Sequence, residues 1–317
     1  MGAVVLKELG KLSVDDYVSI VRSVWRNIHV RRPTLDYVLH VLDHASKLGE
    51  AIRQVNAEKI LHEIAGTANW LFGLVAKLND DKPAEESRLN IKVPLSKMIW
   101  NKYPMLCPHC FMSPTFRGKR TEEIGEKLRG KCQRCLVDYP KVENRPKDEE
   151  RRAKAEIRKF AGNTIADAPK TLQQFEKMFH ELYVANIAVS SIENIGFHLL
   201  EEAGELGRAV IDIFEDQDRH QPELDERQRD LCDEIAEVFG WLCSLTLKVR
   251  GQAETFDDFQ RGLNILPSAG RGLSESIDLE KILWVLYRDN QSKRYRCLHC
   301  HRSTCRCRLT FAWSGGV

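Results

Sequence analysis

The sequence predicts an all-α protein with two related helical blocks. Apolar residues recur at helical spacing over residues 13–79 and again over 171–250, with few breakers in either block. A cysteine-bearing stretch and a charged run lie between the blocks, and a short amphipathic helix with a cysteine-rich tail follows the second. We therefore expect tandem helical bundles, an inserted zinc-ribbon-like module and a Cys-rich C-terminal tail.

Changes in composition divide the chain into five segments. We expect a helical domain over 1–80, the zinc-ribbon-like module over 97–142, a charged linker over 143–170, a second helical domain over 171–250, and a short helix with a basic tail over 275–317. The linker run ENRPKDEERRAKAEIRK has no evident apolar face, which favours a solvated linker or exposed helix over a binding tail.

The overall charge gives no reason to expect nucleic acid or a membrane as partner. The 48 lysines and arginines nearly balance the 46 aspartates and glutamates. The N-terminal apolar run is too short for a signal peptide, and no segment reaches the roughly 18 uncharged residues of a membrane span. We expect a cytoplasmic protein, in which ten cysteines favour metal ligands or buried thiols over disulfides.

The two helical blocks are copies of each other. HVLDHASKLGEAI, from His40, aligns with HLLEEAGELGRAV, from His198, and HEIAGTANWLFGLVAK, from His62, aligns with DEIAEVFGWLCSLTLK, from Asp233. The identities are too many for chance, and a further helix precedes each pair. The second copy has the longer connection between its two helices, which is where an insertion is tolerated.

Four glutamates of the second copy are spaced to hold a divalent cation. Glu202 and Glu205 are three residues apart, as are Glu234 and Glu237, so each pair shares one helix face among apolar residues. One such pair is more often a solvated face, but two in one repeat unit favour a metal site. All-oxygen ligation suits Mg²⁺ or Mn²⁺ better than zinc, and the implied chemistry is metal-assisted attack of water on a phosphate.

Three neighbours of these pairs are further candidates. Glu201 lies beside the first pair, where it would hold a second ion, orient water or remain on the surface. His198 and Arg208 lie one turn before and one turn after, on the same face. His198 is either a core histidine or a nucleotide contact, and Arg208 is a candidate phosphate contact.

The order Glu-x-x-Glu, a connection, then Glu-x-x-Glu/Asp resembles the MazG-like, all-α nucleoside triphosphate pyrophosphatase superfamily. The matching stretches are EEAGELGRA and DEIAEVFGWL, and the resemblance extends to the first block through the repeat. It implies hydrolysis of an NTP or dNTP to the monophosphate and pyrophosphate, with Mg²⁺ on the four acidic positions. By matching positions those are Glu202, Glu205, Glu234 and Glu237, the last of which is commonly Asp in the family.

The first copy has lost most of the carboxylate set. The replacements in chain order are His44, Lys47 and Gly66, and the one acid left is Glu63. A lysine would repel Mg²⁺, so we expect this copy not to bind it. The resemblance implies dimers with shared pockets, which suggests an intramolecular pseudo-dimer or a homodimer with Lys47 near phosphate; a scaffold role is the alternative.

Two Cys-x-x-Cys pairs, about twenty residues apart, predict a closed, tetrahedral zinc site. Its ligands would be Cys107, Cys110, Cys132 and Cys135. Four thiolates leave no position for water, so this zinc would stabilise the module and not catalyse.

The tail RYRCLHCHRSTCRCRLTF predicts either a second zinc site or a basic tail that keeps the chain in solution. The ligands of that second site would be Cys297, Cys300, Cys305 and Cys307. Its arginines also make the tail the candidate for contact with nucleic acid or another protein.

These patterns together predict a Mg²⁺- or Mn²⁺-dependent nucleoside triphosphate pyrophosphohydrolase with structural zinc. The alternative is a non-catalytic nucleotide sensor or a zinc-dependent, nucleic-acid-binding regulator, and an all-α scaffold without ligand is third. The intact acidic pairs favour the enzyme, whereas the basic tail favours the regulator.

Overall fold

The computed structural model describes residues 11–29, 31–80, 84–108, 147–215, 221–253, 277–287 and 295–297. Within these ranges 83% of the residues are helical and none belongs to a strand, so the prediction of an all-α protein is confirmed there. No helix in these ranges combines the length and the apolar character that crossing a bilayer requires.

The first block folds into α1 (Val14–Val24), the short α2 (Arg26–His29), α3 (Thr34–Arg53) and α4 (Ala57–Asn79). A capping box starts α1, because the Ser13 hydroxyl accepts the Asp16 backbone N–H and the Asp16 carboxylate accepts that of Ser13. Only a short turn joins α3 to α4, so the two helices pack as an antiparallel pair.

Two helices connect the blocks, α5 (Leu95–Lys102) and α6 (Lys147–Asn163), with a 3₁₀ turn over Ala84–Leu89 before α5. Residues 147–159 of the charged run belong to α6. Ile157 and Ala161, one turn apart on α6, are buried, and the Trp100 indole N–H donates to the Ala161 carbonyl at 3.1 Å. The sequence analysis expected a solvated linker or an exposed helix. The described part is a helix, and its buried Ile157 and Ala161 form a narrow apolar edge that attaches α6 to α5.

The second block folds into α7 (Leu172–Val189), α8 (Ile192–Glu215) and α9 (Gln221–Ala253), and α10 (Leu279–Tyr287) follows it. Thr171 and Gln174 form a capping box at the start of α7, as Ser13 and Asp16 do for α1. Apolar side chains of both blocks form one continuous core.

Equivalent parts of the two copies contact each other. Ser13 and Thr171 cap equivalent helices and pair in a single antiparallel bridge. α3 also packs along its counterpart α8, where an added Cβ at Gly196 would lie 2.7 Å from Ile52 Cδ1. Contact between equivalent residues is typical of copies related by a local two-fold axis.

The helix that trails each pair is repeated as well. LSKMIWNKY, from Leu95, aligns with LEKILWVLY, from Leu279, at Leu, Lys, Trp and Tyr. α5 packs against α9 of the second copy, and α10 packs against α4 of the first. Each copy therefore lends its trailing helix to the other, and the end of α5 reaches the glutamates of α9.

Candidate metal centre

Three of the four predicted glutamates meet between α8 and α9. Glu202 comes from α8, and Glu234 and Glu237 lie one turn apart on α9; one carboxylate oxygen from each lies within 4.8 Å of the other two. Glu202 is 4% exposed and Glu237 is 6% exposed. Carboxylates this close and this buried destabilise the fold unless protons or cations neutralise them.

Glu234 carries the clearest electrostatic sign of a cation site. Burial, reinforced by the charge of Glu237 and only partly offset by Lys102, raises the pKa of Glu234 to about 7. Its Oε2 atom is buried and has no hydrogen-bond partner among the described residues. A carboxylate oxygen in this state suits a hard divalent cation such as Mg²⁺ or Mn²⁺, so the residues present fit the expected metal.

Trp241 contacts Glu202 from outside the glutamate cluster. The indole N–H of Trp241 donates to Glu202 Oε1 at 3.3 Å, and the indole stacks on His198 with ring centroids 4.7 Å apart. The His198 imidazole in turn lies 3.1 Å from Glu201 Oε2. His198 and Glu201 thus lie outside the glutamate cluster. His198 stacks on Trp241, which in turn donates a hydrogen bond to Glu202.

Glu205, the fourth predicted ligand, lies at the edge of the site. It is exposed and lines a cleft of about 250 Å³ that leads to Glu234 and Glu237. Its charge contributes to the raised pKa of Glu234. The structure therefore brings three predicted ligands together and leaves the fourth at the cleft, within electrostatic reach of them.

The opposite wall of the cleft is basic, a feature that the sequence analysis missed. It consists of Lys102 from α5 together with Lys154 and Arg158 from α6. Arg158 pairs with the buried carboxylate of Asp233 at 2.8 Å. A cleft with one acidic and one basic wall can hold a metal ion and an anionic ligand side by side.

Lys102 contacts the glutamate cluster directly. Its ammonium pairs with Glu237 Oε1, lies 3.9 Å from Asp233 Oδ2, and its side chain is only 11% exposed. Burial by itself would lower the pKa of Lys102, but the charges of Glu237 and Asp233 raise it above its ordinary value. Lys102 is therefore protonated at neutral pH.

Sequence signals for these residues exist but are weak. Asp233 directly precedes Glu234, and the motif it belongs to was already aligned with the first copy. The repeat of the trailing helix does not mark Lys102, because the residue at the same position in α10 is Leu286. Nothing in the charged run distinguishes Arg158 from the other basic residues around it.

Two predicted phosphate contacts do not line the cleft. Arg208 is 67% exposed and pairs with Asp212 of its own helix at 2.6 Å. Lys47 is exposed on α3 and pairs with Asp43 at 2.5 Å. In both cases an acid four residues away on the same helix holds the basic side chain in solvent.

The first copy has a hydrogen-bonded pair where the second has its carboxylates. His44 Nδ1 lies 2.6 Å from Glu63 Oε2. The His44 ring lies over Gly66, where an added Cβ would be 2.6 Å from His44 Cε1. The imidazole thus occupies the space that a side chain at position 66, the counterpart of Glu237, would need. It also gives Glu63 a hydrogen-bond partner.

Only one cysteine of each predicted zinc site belongs to the described residues. Cys107 and Cys297 are both buried. Six predicted ligands lie outside the described residues, namely Cys110, Cys132, Cys135, Cys300, Cys305 and Cys307. Both zinc sites therefore stay predictions.

Comparisons of this chain with protein-family models, curated proteins and solved structures find no match. A functional assignment therefore rests on the chemistry of the cleft and on the sequence motif.

Proposed function

We propose that this protein is a divalent-metal-dependent nucleoside triphosphate pyrophosphohydrolase, which converts an NTP or dNTP to the monophosphate and pyrophosphate. The observation that carries the proposal is the cleft, in which glutamates face three basic side chains. Glu205, Glu234 and Glu237 line it together with Lys102, Lys154 and Arg158. Glu202 completes the glutamate cluster behind Glu234 and Glu237. The order of the acidic motifs, which resembles the MazG-like superfamily, supports the same reaction.

Glu202, Glu234 and Glu237 would hold the metal, with Glu205 at the mouth of the cleft as a further oxygen donor. A bound Mg²⁺ or Mn²⁺ supplies polarisation of a phosphate oxygen and a lower pKa for a coordinated water. Trp241 fixes the orientation of Glu202 through its indole N–H.

The basic wall would bind the polyphosphate. Amino and guanidinium groups form charge-assisted hydrogen bonds with phosphate oxygens, and Arg158 presents a planar fork for this purpose. The protonated state of Lys102 suits the same role. Because α5 and α6 carry these groups and α8 and α9 carry the acids, the substrate would bridge the two walls.

A small apolar crevice of about 20 Å³ lies next to Trp241, which also contacts Glu202. Gly240 and Trp241 line it, three and four residues after Glu237, together with Tyr103 and Tyr183. This volume holds about one water molecule, so a nucleoside base would enter only if these side chains moved apart.

A nucleotide-binding regulator without catalysis is the second candidate. The contact between Lys102 and Glu237 favours it, because an ammonium group competes with a metal for the same carboxylate. The basic tail, which prompted this alternative, lies outside the described residues.

Product analysis distinguishes the two candidates. The full chain is incubated with Mg²⁺ and each NTP and dNTP in turn, and pyrophosphate is separated from orthophosphate by anion exchange. We expect monophosphate and pyrophosphate from wild type and from Glu193→Gln, an exposed glutamate on α8, and no product from Glu234→Gln. Nucleotide binding without turnover in wild type selects the regulator.

A further inference from the structure

Lys102 lies against the copy that keeps its carboxylates, and a leucine takes the equivalent position against the copy that has lost them. In the repeated trailing helix, the counterpart of Lys102 is Leu286, which packs against the core. Leu286 belongs to α10, which packs on α4 of the copy that has lost its acids. The lysine is therefore a feature of the site and not of the repeat.

Packing on both sides fixes the position of this lysine. Trp100 on α5 donates to α6, and Tyr103, which directly follows Lys102, packs edge-on against Phe179 of α7 at 5.1 Å. The end of α5 is thus anchored to two neighbouring helices. The ammonium group is held against Glu237 instead of moving freely in solvent.

Glu237 belongs both to the glutamate cluster and to the ion pair with Lys102. On one side it belongs to the cluster with Glu202 and Glu234, which provides one ion position. The Oε1 atom of the same carboxylate pairs with the ammonium of Lys102, which also lies 3.9 Å from Asp233 Oδ2. In two-metal sites, a second ion about 3.5–4 Å from the first occupies such a second position.

We infer that Lys102 takes the place of a second metal ion, so that the site holds one divalent cation and the repeat without carboxylates supplies the other positive charge. This inference rests on the proposed function of the same cleft. An ammonium group has three N–H donors, so contact with Glu237 leaves donors for a phosphate oxygen. The degenerate copy then completes the site through α5.

The first test counts metal ions with Mn²⁺ alone. Equilibrium dialysis measures Mn²⁺ per chain, and subtraction of the count for Glu202→Gln/Glu234→Gln removes ions bound elsewhere. We expect one ion in wild type, in Lys102→Arg and in Lys97→Ala, an exposed lysine on the same helix. We expect a second ion in Lys102→Ala, or in Lys102→Gln if the alanine variant does not fold.

Two ions in wild type would overturn the inference, as would one ion in wild type and in both neutral variants. The second test measures binding of Mg²⁺-tripolyphosphate by isothermal titration. Loss of one charged hydrogen bond predicts binding weaker by about tenfold or more in Lys102→Gln, with recovery in Lys102→Arg. Equal affinity in Lys102→Gln and Lys97→Ala also overturns it.

The two proposals fail separately. If wild type binds one Mn²⁺, Lys102→Gln binds a second Mn²⁺ and tripolyphosphate more weakly, and no pyrophosphate is released, the inference holds and the proposed function is wrong. If wild type releases pyrophosphate and binds two Mn²⁺, the proposed function holds and the inference is wrong.

Discussion

Replacing Glu234 by glutamine should stabilise the metal-free protein, although it removes a group of the proposed active site. The carboxylate is partly buried beside Glu237, and its Oε2 has no hydrogen-bond partner among the described residues. Glutamine has nearly the same shape and carries no charge. The substitution therefore removes a repulsion without removing a hydrogen bond to that atom.

The size of this effect follows from the pKa. A rise from 4.5 to about 7 corresponds to about 3 kcal/mol, at roughly 1.4 kcal/mol per pKa unit. Because part of the side chain is open to the cleft, solvent reduces this to about 2 kcal/mol. The folded state binds the proton more tightly than the unfolded state, so wild-type stability falls as pH rises from 4.5 to 7 and stays reduced above that.

Urea denaturation in buffer freed of Mg²⁺ by chelating resin measures this difference. We expect Glu234→Gln to unfold with a free energy about 2 kcal/mol above wild type at pH 8.5 and equal to it near pH 4.5. Glu193→Gln, exposed on α8, is the matched control and should follow wild type at both pH values. Added Mg²⁺ should stabilise wild type and not Glu234→Gln. A Glu234→Gln variant less stable than wild type at pH 8.5 would refute the reasoning.

Three further changes test other parts of the structure. Gly66→Ala should lower the free energy of unfolding by about 1–3 kcal/mol in urea denaturation, because the added Cβ meets the His44 imidazole. Gly49→Ala is the control: an added Cβ there meets open space, so this variant should be as stable as wild type or more stable. Trp241→Phe keeps the aromatic ring but loses the hydrogen bond to Glu202, so Mn²⁺ affinity in equilibrium dialysis should fall about tenfold; unchanged affinity contradicts this role. Burial raises the pKa of Glu176 to about 8, so this group should make wild type less stable as the pH rises from 4.5 to 8. Thermal unfolding of Glu176→Gln should show a smaller loss of stability over this range. A loss equal to that of wild type contradicts the role of Glu176.

Local sequence patterns identified the acidic wall of the cleft. The i, i+3 spacing of glutamates among apolar residues is a property of one helix, and the repeat places two such helices side by side. The structure brings Glu202, Glu234 and Glu237 together accordingly. The exposed place of Glu205 depends on how the helices are rotated, which spacing alone does not determine.

The basic wall depends on contacts between distant parts of the chain. Lys102 and Glu237 are separated by more than a hundred residues, and only the exchange of trailing helices between copies brings them together. The shared helix face instead predicted Arg208 as a phosphate contact. In the structure Arg208 is exposed and pairs with Asp212, one turn further along the same helix. Local spacing identifies which residues share a face, but the tertiary fold decides which faces meet.

The most direct measurement of the central claim is hydrolysis in ¹⁸O-labelled water with Mg²⁺ and the preferred nucleotide. If water attacks the α-phosphorus, mass spectrometry finds the label in the monophosphate and none in the pyrophosphate. We predict this result for wild type and for Glu193→Gln, with no labelled product from Glu234→Gln. Label in orthophosphate, or equal labelled product from Glu234→Gln and wild type, would contradict a pyrophosphohydrolase site at these glutamates.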